Sequence, residues 1–197
     1  MKTVLLATRN RGKLRELVAL LAAAGIPCES LAEHPEVGAV EETGATFDEN
    51  ARLKAAAAAR ASGLFALGED SGLEVDALEG APGVRSARYA GAHGDDAANN
   101  AALMAALAGR SDRRARYRCA LALARPDGAI VATTNGSCEG FITDIPRGSG
   151  GFGYDPYFIP EGRHLTMAEL TPAEKAELSH RGRAAHAMRP LLALHLG

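Results

Sequence analysis

The chain has 197 residues and a formal net charge of −2, with 47% hydrophobic and 23% charged residues. This length suits a single domain over residues 1–197 with room for a sizeable core, and the composition is ordinary for a globular protein. The small net charge argues against a protein that coats nucleic acid, because such proteins normally carry a strongly basic face.

Cysteine usage and hydropathy indicate the cellular compartment of the protein. Cys28, Cys119 and Cys138 lie far apart without a CxxC pair, which predicts neither a disulfide scaffold nor a zinc site and suits a reducing cytosol. The apolar run before Arg9 is too short for a secretory signal. No stretch approaches the roughly 20 apolar residues that span a bilayer. We therefore expect a cytoplasmic protein without a membrane anchor.

A strand signal and a helix signal follow each other at the start of the chain. Apolar residues predict a strand over residues 3–7, and leucines at helical spacing predict a helix over 12–24. The stretch LLATRNRGKLREL joins the two and carries four cationic side chains. Helix N-termini normally favour acidic residues, so the cations indicate an anionic ligand.

This junction has two interpretations. Free backbone N–H groups and the helix dipole favour an anion there, with Thr8 and Asn10 adding donors and Lys13 adding a point charge. The junction is not a Walker A motif, because G-x-x-x-x-G-K-[ST] is absent. The alternative is a solvated basic helix face with Asn10 as its N-cap.

The next segment offers candidate carboxylates. Thr46 and Glu49 form an S/T-x-x-E capping box ahead of an alanine-rich helix. Residues 64–67 predict a short buried strand, and the loop-rich passage after it opens with GEDSG. Sheets of α/β proteins place their chemistry at strand ends, and Mg²⁺ takes carboxylate oxygens together with water and phosphates. Asp70 is therefore a candidate metal ligand or general base, with Glu41 as a second carboxylate; ordinary turn chemistry is the alternative.

The second half of the chain continues the mixture of helix and strand. We predict a third helix over residues 96–109, a β-hairpin around the Pro-Asp-Gly turn at 126–128, and a Gly-rich loop over 146–160. A further capping box at Thr171 begins a helix, which breaks near Gly182 before a terminal helix. The sequence therefore predicts a mixed α/β fold.

The Gly-rich loop contains GSGGFG, which matches the dinucleotide fingerprint G-x-G-x-x-G. That fingerprint must open a helix, whereas prolines follow here at once, so an extended loop is expected. Phe152 and Tyr154 lie beside flexible glycines and suit stacking on a flat ring. The alternative is that both aromatic rings anchor the loop in the core.

Near the C-terminus, Lys175, His180 and Arg181 supply several hydrogen-bond donors, suited to a phosphate or to a carbonyl-edged base. The alternative is a helix C-terminus whose cations complement the dipole. The remaining histidines show no metal-ligand spacing and are expected at the surface: His34, His93, His164, His186 and His195.

Five segments together resemble the inosine triphosphate pyrophosphatase family: LATRNRGKLREL, EETGATFDENARLKA, EDSGLEVDALEGAPGVRSARYAG, GGFGYDPYF and AELTPAEKAELSHRGRA. They follow in order from Val4 to the final helix. Each segment alone is weak, but five in order are specific. The resemblance implies an α/β fold with an elongated mixed β-sheet flanked by helices, two lobes with a nucleotide-binding cleft between them, and a homodimer.

The resemblance also implies roles for individual residues. Glu41 and Asp70 match the acids associated with Mg²⁺, and Asp70 also matches the proton acceptor. The remaining matches are substrate contacts: Thr8, Arg9, Asn10, Arg11, Gly12 and Lys13 as a triphosphate cradle, then Ser71, Phe152, Gly153, Tyr154, Asp155, Lys175, His180 and Arg181. The sequence departs from the family pattern at Glu69, where Asp is common, and at Arg85, where an aromatic residue is common.

The implied reaction is hydrolysis of the noncanonical purine triphosphates ITP, dITP and XTP to the monophosphate and pyrophosphate. Three alternatives stay open: a non-catalytic nucleotide sensor, a pyrophosphatase for modified pyrimidine triphosphates, and an unrelated phosphate-ester hydrolase. No nucleic-acid or membrane partner is expected.

Overall fold

The computed structural model describes residues 2–92 and 94–197, so His93 lies outside the described residues. The described part contains the strands β1 (Val4–Ala7), β2 (Cys28–Ser30), β3 (Phe65–Val75), β4 (Arg114–Ala124), β5 (Ile130–Ile142) and β6 (Phe158–Pro160). Its α-helices are α1 (Arg11–Ala22), α2 (Phe47–Ser62), α3 (Asp96–Ala106), α4 (Pro172–Leu178) and α5 (His180–Leu196). None of these helices is long and apolar enough to cross a bilayer.

The strands form one sheet in the order β2-β1-β3-β4-β5-β6. Strand β1 pairs in parallel with both β2 and β3, whereas β5 and β6 are antiparallel. The Pro-Asp-Gly turn lies between β4 and β5, where Arg125 N–H donates to the Ala129 carbonyl at 2.9 Å. The mixed α/β sheet predicted from the sequence is confirmed.

The described chain divides into two compact units. Residues 2–70, 119–136 and 181–197 form the first unit, and residues 71–92, 94–118 and 137–180 form the second. Each unit has a core of its own, and the two are described separately below.

The first unit has a core of small residues. Leu5 and Ala7 of β1 pack with the alanines of α2 and with Ala120 and Ala122 of β4. Helix α2 begins at the predicted capping box, in which Glu49 N–H donates to Thr46 Oγ1 at 3.2 Å. Because alanine side chains are short, α2 can lie close to the strands beneath it.

The second unit has a core of larger side chains. Leu73 and Val75 of β3, Leu103 of α3, Tyr117 of β4 and Phe158 of β6 all lie within it. Helix α4 begins at the second predicted capping box, where Glu174 N–H donates to Thr171 Oγ1 at 3.3 Å.

Strand β3 differs from the sequence prediction. The strand predicted at residues 64–67 is confirmed from Phe65 onwards, but it continues through GEDSG to Val75, so the prediction of a loop at GEDSG was wrong. The glycines serve close packing instead of a turn. A Cβ on Gly68 would lie 2.1 Å from the Ala51 carbonyl oxygen, and one on Gly72 would lie 2.3 Å from Ser86 Oγ. Glycine is the residue that permits such close approaches.

The C-terminal break also differs from the prediction. Helix α4 ends at Leu178 and α5 begins at His180, so Gly182 lies inside the first turn of α5 and not at the break. The Gly-rich loop opens no helix, in agreement with the rejection of the dinucleotide fingerprint; the next helical residues are the 3-10 turn Met167–Glu169.

Candidate active site

The loop between β1 and α1 folds back on itself through its polar side chains. Asn10 is the N-cap of α1, and its Oδ1 accepts from the Lys13 backbone N–H at 3.0 Å. Thr8 Oγ1 accepts from Asn10 N–H at 3.3 Å. Gly12 is buried and Arg11 is exposed. The N-cap interpretation of Asn10 is therefore confirmed, and the first turn of α1 contains no acidic residue.

The cations of this loop point to different places. Arg9 Nη2 donates to the Val37 carbonyl oxygen at 2.7 Å, which ties the loop to residues further along the first unit. Lys13 is buried, with its Nζ 3.9 Å from Asp70 Oδ1. Lys13, and not Arg9, therefore brings its charge to the predicted acid.

Asp70 is buried in β3 between two lysines. Besides the Lys13 contact, its Oδ1 accepts from Lys54 Nζ at 2.9 Å, and its Oδ2 accepts from Asn50 Nδ2 at 3.2 Å. Asn50 and Lys54 lie four residues apart on α2, so both project from one helix face. Three groups from two helices therefore fix the carboxylate of Asp70.

The two lysines respond differently to their surroundings. Burial lowers the pKa of Lys13; Glu69 and Asp70 oppose that shift, while Lys54 and Arg181 add to it. Burial also lowers the pKa of Lys54, but Asp70 and Glu42 together outweigh it and raise the pKa above its ordinary value. Lys54 is thus held charged by its two carboxylate neighbours, whereas Lys13 is easier to deprotonate than an ordinary lysine.

The two glutamates of VEETG are placed differently. Glu42 Oε1 accepts from Lys54 Nζ at 3.0 Å, so it reaches the neighbourhood of Asp70 through that lysine. The side chain of Glu41, the residue predicted from the resemblance, is exposed. Among the described residues, no group of three or more His, Cys, Asp or Glu side chains could by itself hold a metal ion.

Arg181 lies in a buried ion network of the first unit. Its Nε and Nη2 donate to Glu69 Oε1 at 2.9 and 2.7 Å, and its Nη1 donates to Glu16 Oε2 at 2.5 Å. The residue is only 1% exposed and Glu69 is fully buried. The buried Cys119 thiol lies 3.8 Å from Glu69 Oε1, and burial raises the pKa of that thiol well above its ordinary value.

In the second unit, Asp155 organises the Gly-rich loop. Its Oδ2 accepts from Lys175 Nζ at 2.5 Å and from Phe152 N–H at 2.9 Å, and its Oδ1 accepts from Tyr117 Oη at 3.2 Å. Lys175 Nζ also lies 5.1 Å from the centre of the Phe152 ring. The half-buried Phe152 ring is thereby presented beside a cation.

Other predicted residues of the second unit have distinct surroundings. Tyr154 is buried and its Oη donates to the Ser86 carbonyl at 2.8 Å, so this aromatic residue anchors the loop in the core. Burial, with help from Tyr89 and Asp96, raises the pKa of Tyr154 above its ordinary value. The His180 ring stacks on Tyr117 with 4.7 Å between ring centres. Ser71 is half-buried in β3.

Sequence reasoning missed several residues of this arrangement: Asn50, Lys54, Glu42, Glu16 and Tyr117. A signal existed for two of them, because Asn50 and Lys54 are polar residues at i, i+4 spacing in a helix that is otherwise largely alanine on its buried side. Such buried polar pairs point to a polar partner in the element beneath. The other three offered no local pattern.

The first unit thus combines a buried carboxylate between two lysines with a cationic loop at a helix N-terminus. This combination is typical of proteins that act on phosphate groups. Comparison with known proteins makes this specific. A model of the Ham1 family matches residues 4–191, and the chain belongs to that family. The resemblance stated from the sequence is therefore confirmed.

Individual relatives agree over nearly their whole lengths. The chain is 50% identical to a dITP/XTP pyrophosphatase of Streptomyces coelicolor, with all of both chains covered. It is 51% identical to a dITP/XTP pyrophosphatase of an Exiguobacterium species, with 92% of each chain covered. The solved structure of a HAM1 protein from Coxiella burnetii superposes with a TM-score of 0.87 at 42% identity, covering 98% of this chain and all of the other.

Proposed function

We propose that the chain is an enzyme that hydrolyses dITP, XTP and ITP to the nucleoside monophosphate and pyrophosphate, and so removes them from the nucleotide pool. The observation that carries this proposal is the carboxylate of Asp70, held by Lys13, Lys54 and Asn50 in a chain of the Ham1 family. The names of the relatives supply dITP and XTP, and the resemblance stated from the sequence supplies ITP.

We propose the following steps for the reaction, on the basis of the charges and positions of the residues around Asp70. Lys13 and the backbone N–H groups at the start of α1 would bind the triphosphate. Asp70 would orient a water molecule and accept its proton as the water oxygen bonds to the α-phosphorus. The bond from the α-phosphorus to the bridging oxygen then breaks and pyrophosphate leaves with the electron pair. Phosphoryl transfer of this kind depends mainly on positioning and charge neutralisation.

We infer a divalent cation, Mg²⁺, from the chemistry of the two acids that the sequence predicts. Asp70 and Glu41 would hold it with carboxylate oxygens, the ligands that this ion prefers. Two carboxylates are too few to enclose an ion, so water and phosphate oxygens would complete its coordination. When bound, the ion would neutralise phosphate charge and lower the pKa of a coordinated water.

Side chains of the second unit would select the base. Phe152, beside Lys175, offers a ring face for stacking, and the donors of Lys175 and His180 suit the 6-keto oxygen of hypoxanthine and xanthine. A site built to donate to a 6-keto group rejects a 6-amino group by roughly 10⁴–10⁵, because its donors are then left unpaired. The guanidinium of Arg181, which the sequence predicts as a further donor to the substrate, instead donates to Glu69 and Glu16 in the first unit.

The test is turnover of dITP, XTP, ITP, ATP and GTP with and without Mg²⁺, with pyrophosphate and orthophosphate measured separately. We expect metal-dependent pyrophosphate release from the first three and its loss in Asp70→Asn, because the amide cannot accept the proton. Asp127→Asn, in the exposed β4–β5 turn, is the matched control and should turn over normally. Tight binding of ITP without turnover would instead indicate a sensor, and orthophosphate release would overturn the mechanism.

Two further measurements address the metal and the assembly. Chelation should abolish turnover while leaving the unfolding temperature within about 1 °C, because a cation held mainly by substrate and water adds little to the fold in the absence of substrate. We also propose that the protein is a cytoplasmic homodimer; light scattering after size exclusion would give twice the 20.4 kDa chain mass.

A further inference from the structure

We propose that Asp96 and Asn100 of α3 are positioning residues that hold the peptide of Gly153, and that they thereby set the affinity of the Phe152 loop for the base of the substrate. This inference rests on the proposed function, because it assigns a supporting role around the loop that would contact the base. It adds two residues that sequence reasoning did not select.

Both sides of Gly153 are held by α3. Gly153 N–H donates to Asp96 Oδ2 at 2.7 Å, and the Gly153 carbonyl accepts from Asn100 Nδ2 at 2.9 Å. Asp96 and Asn100 lie four residues apart, so one face of the helix supplies both contacts. The two hydrogen bonds therefore hold both the N–H and the carbonyl of Gly153.

The Asn100 amide has one usable orientation. Its Nδ2 also donates to the Asp96 backbone carbonyl at 2.8 Å, so this nitrogen serves two carbonyl oxygens. Rotating the amide would place its oxygen against both carbonyls. Its Oδ1 is buried without a hydrogen-bond partner in the described structure. A buried acceptor without a partner is costly, which indicates that the side chain is set by its contact with the loop and not by packing alone.

The loop needs this support because its glycines confer freedom. Gly151 and Gly153 have φ of +72° and +63°, a region that glycine enters readily. Phe152 lies between them, so the direction of its ring depends on these two backbones. Asp155 holds the loop before the Phe152 side chain by accepting from Phe152 N–H. Asp96 of α3 holds it after that side chain by accepting from Gly153 N–H. Fixing the loop before the ligand arrives lowers the entropy lost on binding.

The principal test is Asn100→Asp, which replaces the amide donor with a carboxylate facing two carbonyl oxygens. We expect the KM for dITP to rise by roughly tenfold while kcat changes less than twofold, because the loop contacts the base and not the reacting phosphate. Asp96→Ala is the second variant; it removes an exposed contact, should fold normally, and should raise the KM by roughly threefold. Asp95→Asn, which keeps the N-cap acceptor for Ala98 N–H, is the control and should leave the KM unchanged.

A fluorescence experiment makes the test independent of turnover. The chain has no tryptophan, so Phe152→Trp introduces a single reporter in the loop. In that background, Asn100→Asp and Asp96→Ala should each raise the acrylamide quenching constant by about twofold, whereas Asp95→Asn should not.

The outcomes separate this inference from the proposed function. If the parent protein fails to turn over dITP, the proposed function is wrong, while increased quenching would still support the hold on Gly153. If turnover is normal but neither KM nor quenching changes in a folded Asp96→Ala variant, the positioning role is wrong. A rise in KM with an equal fall in kcat would also overturn it, since that pattern indicates general damage to the site.

Discussion

Lys13 is a buried cation that loses its proton more easily than an ordinary lysine. Burial lowers its pKa below the ordinary value of 10.5, and triphosphate binding needs the protonated form. We therefore expect the KM for dITP to rise at alkaline pH. This rise should begin at a lower pH than it would if Lys13 had the pKa of an ordinary lysine.

The control for this pH profile is Lys13→Arg. A guanidinium stays charged throughout the accessible range, so the variant should lack the alkaline rise in KM, whatever its effect at neutral pH. The measurement is KM for dITP from pH 7 to 10. An identical alkaline rise in both proteins would show that another group titrates.

Arg181 is a buried cation that matters for stability, because removing it would leave the carboxylates of Glu69 and Glu16 without their counter-charge. Arg181→Met would leave Glu69 buried without its guanidinium and would cost about 3–5 kcal/mol in the free energy of unfolding. Urea unfolding measures this change. Arg163→Met, at an exposed position, is the matched control and should stay within about 0.5 kcal/mol. A loss in Arg181→Met no larger than in the control would contradict the network.

Contacts of this kind could not be predicted from the sequence. Glu69 and Arg181 are 112 positions apart, and the pairing arises only because residues 65–70 of β3 and residues 181–196 of α5 belong to the same unit. The donors of Arg181 looked suited to a ligand, and the structure gives them two carboxylates of the chain. Asp70, by contrast, could be proposed from local sequence, because it belongs to an acidic pair that follows a short apolar run.

Among the elements, β3 depends most on small side chains. Gly68→Ala would place a methyl group 2.1 Å from the Ala51 carbonyl oxygen and 2.6 Å from Ala55 N, both in the backbone of α2. Helix α2 would have to move, and overpacking of this kind costs about 1–3 kcal/mol. Because α2 also carries Asn50 and Lys54, turnover should fall as well. Thermal unfolding and dITP turnover measure the two effects.

Gly38→Ala is the control for this substitution. Its Cβ would meet nothing within 4 Å, so stability and turnover should both stay near those of the parent protein. Equal behaviour of the two alanine variants would show that α2 does not depend on the close approach at Gly68.

Element boundaries followed the sequence wherever a side chain defines them locally. The capping boxes at Thr46 and Thr171 gave the starts of α2 and α4, because the cap hydrogen bonds lie within four residues. The middle of β3 was misread because GEDSG has the composition of a turn. Its glycines instead leave room for the close approach of α2 and of the 3-10 segment Gly83–Arg88, which lie elsewhere in the sequence. Local composition cannot distinguish these two reasons for a glycine.

At the scale of the whole molecule, the fold class and the family could be predicted from the sequence, but the grouping of the site residues could not. The predicted residues fall into two sets, with Lys13, Asp70 and Arg181 in the first unit and Phe152, Asp155, Lys175 and His180 in the second. The ordered set of motifs carried the family assignment. Which side chains meet within each unit depended on sheet order, which strand signals alone do not specify.

The cysteines provide one buried native chemical reporter for each unit. Cys119 is buried in the first unit and Cys138 in the second, whereas Cys28 is partly accessible on the edge strand β2. In native protein, Cys28 should react with a thiol-specific reagent at least about 100-fold faster than the other two, because their alkylation must wait for local or global opening. Mass spectrometry of timed samples resolves the three sites, and equal rates would contradict the burial of Cys119 and Cys138.

The alkylation rates of Cys119 and Cys138 also report on folding cooperativity, and measuring them requires no engineered probe. If Cys119 and Cys138 are trapped with the same denaturant dependence, one unfolding event exposes both units; if their dependences differ, each unit opens as a separate cooperative block. A chain whose strands run from one unit into the other thus contains its own labels for measuring how far folding cooperativity extends along a shared strand.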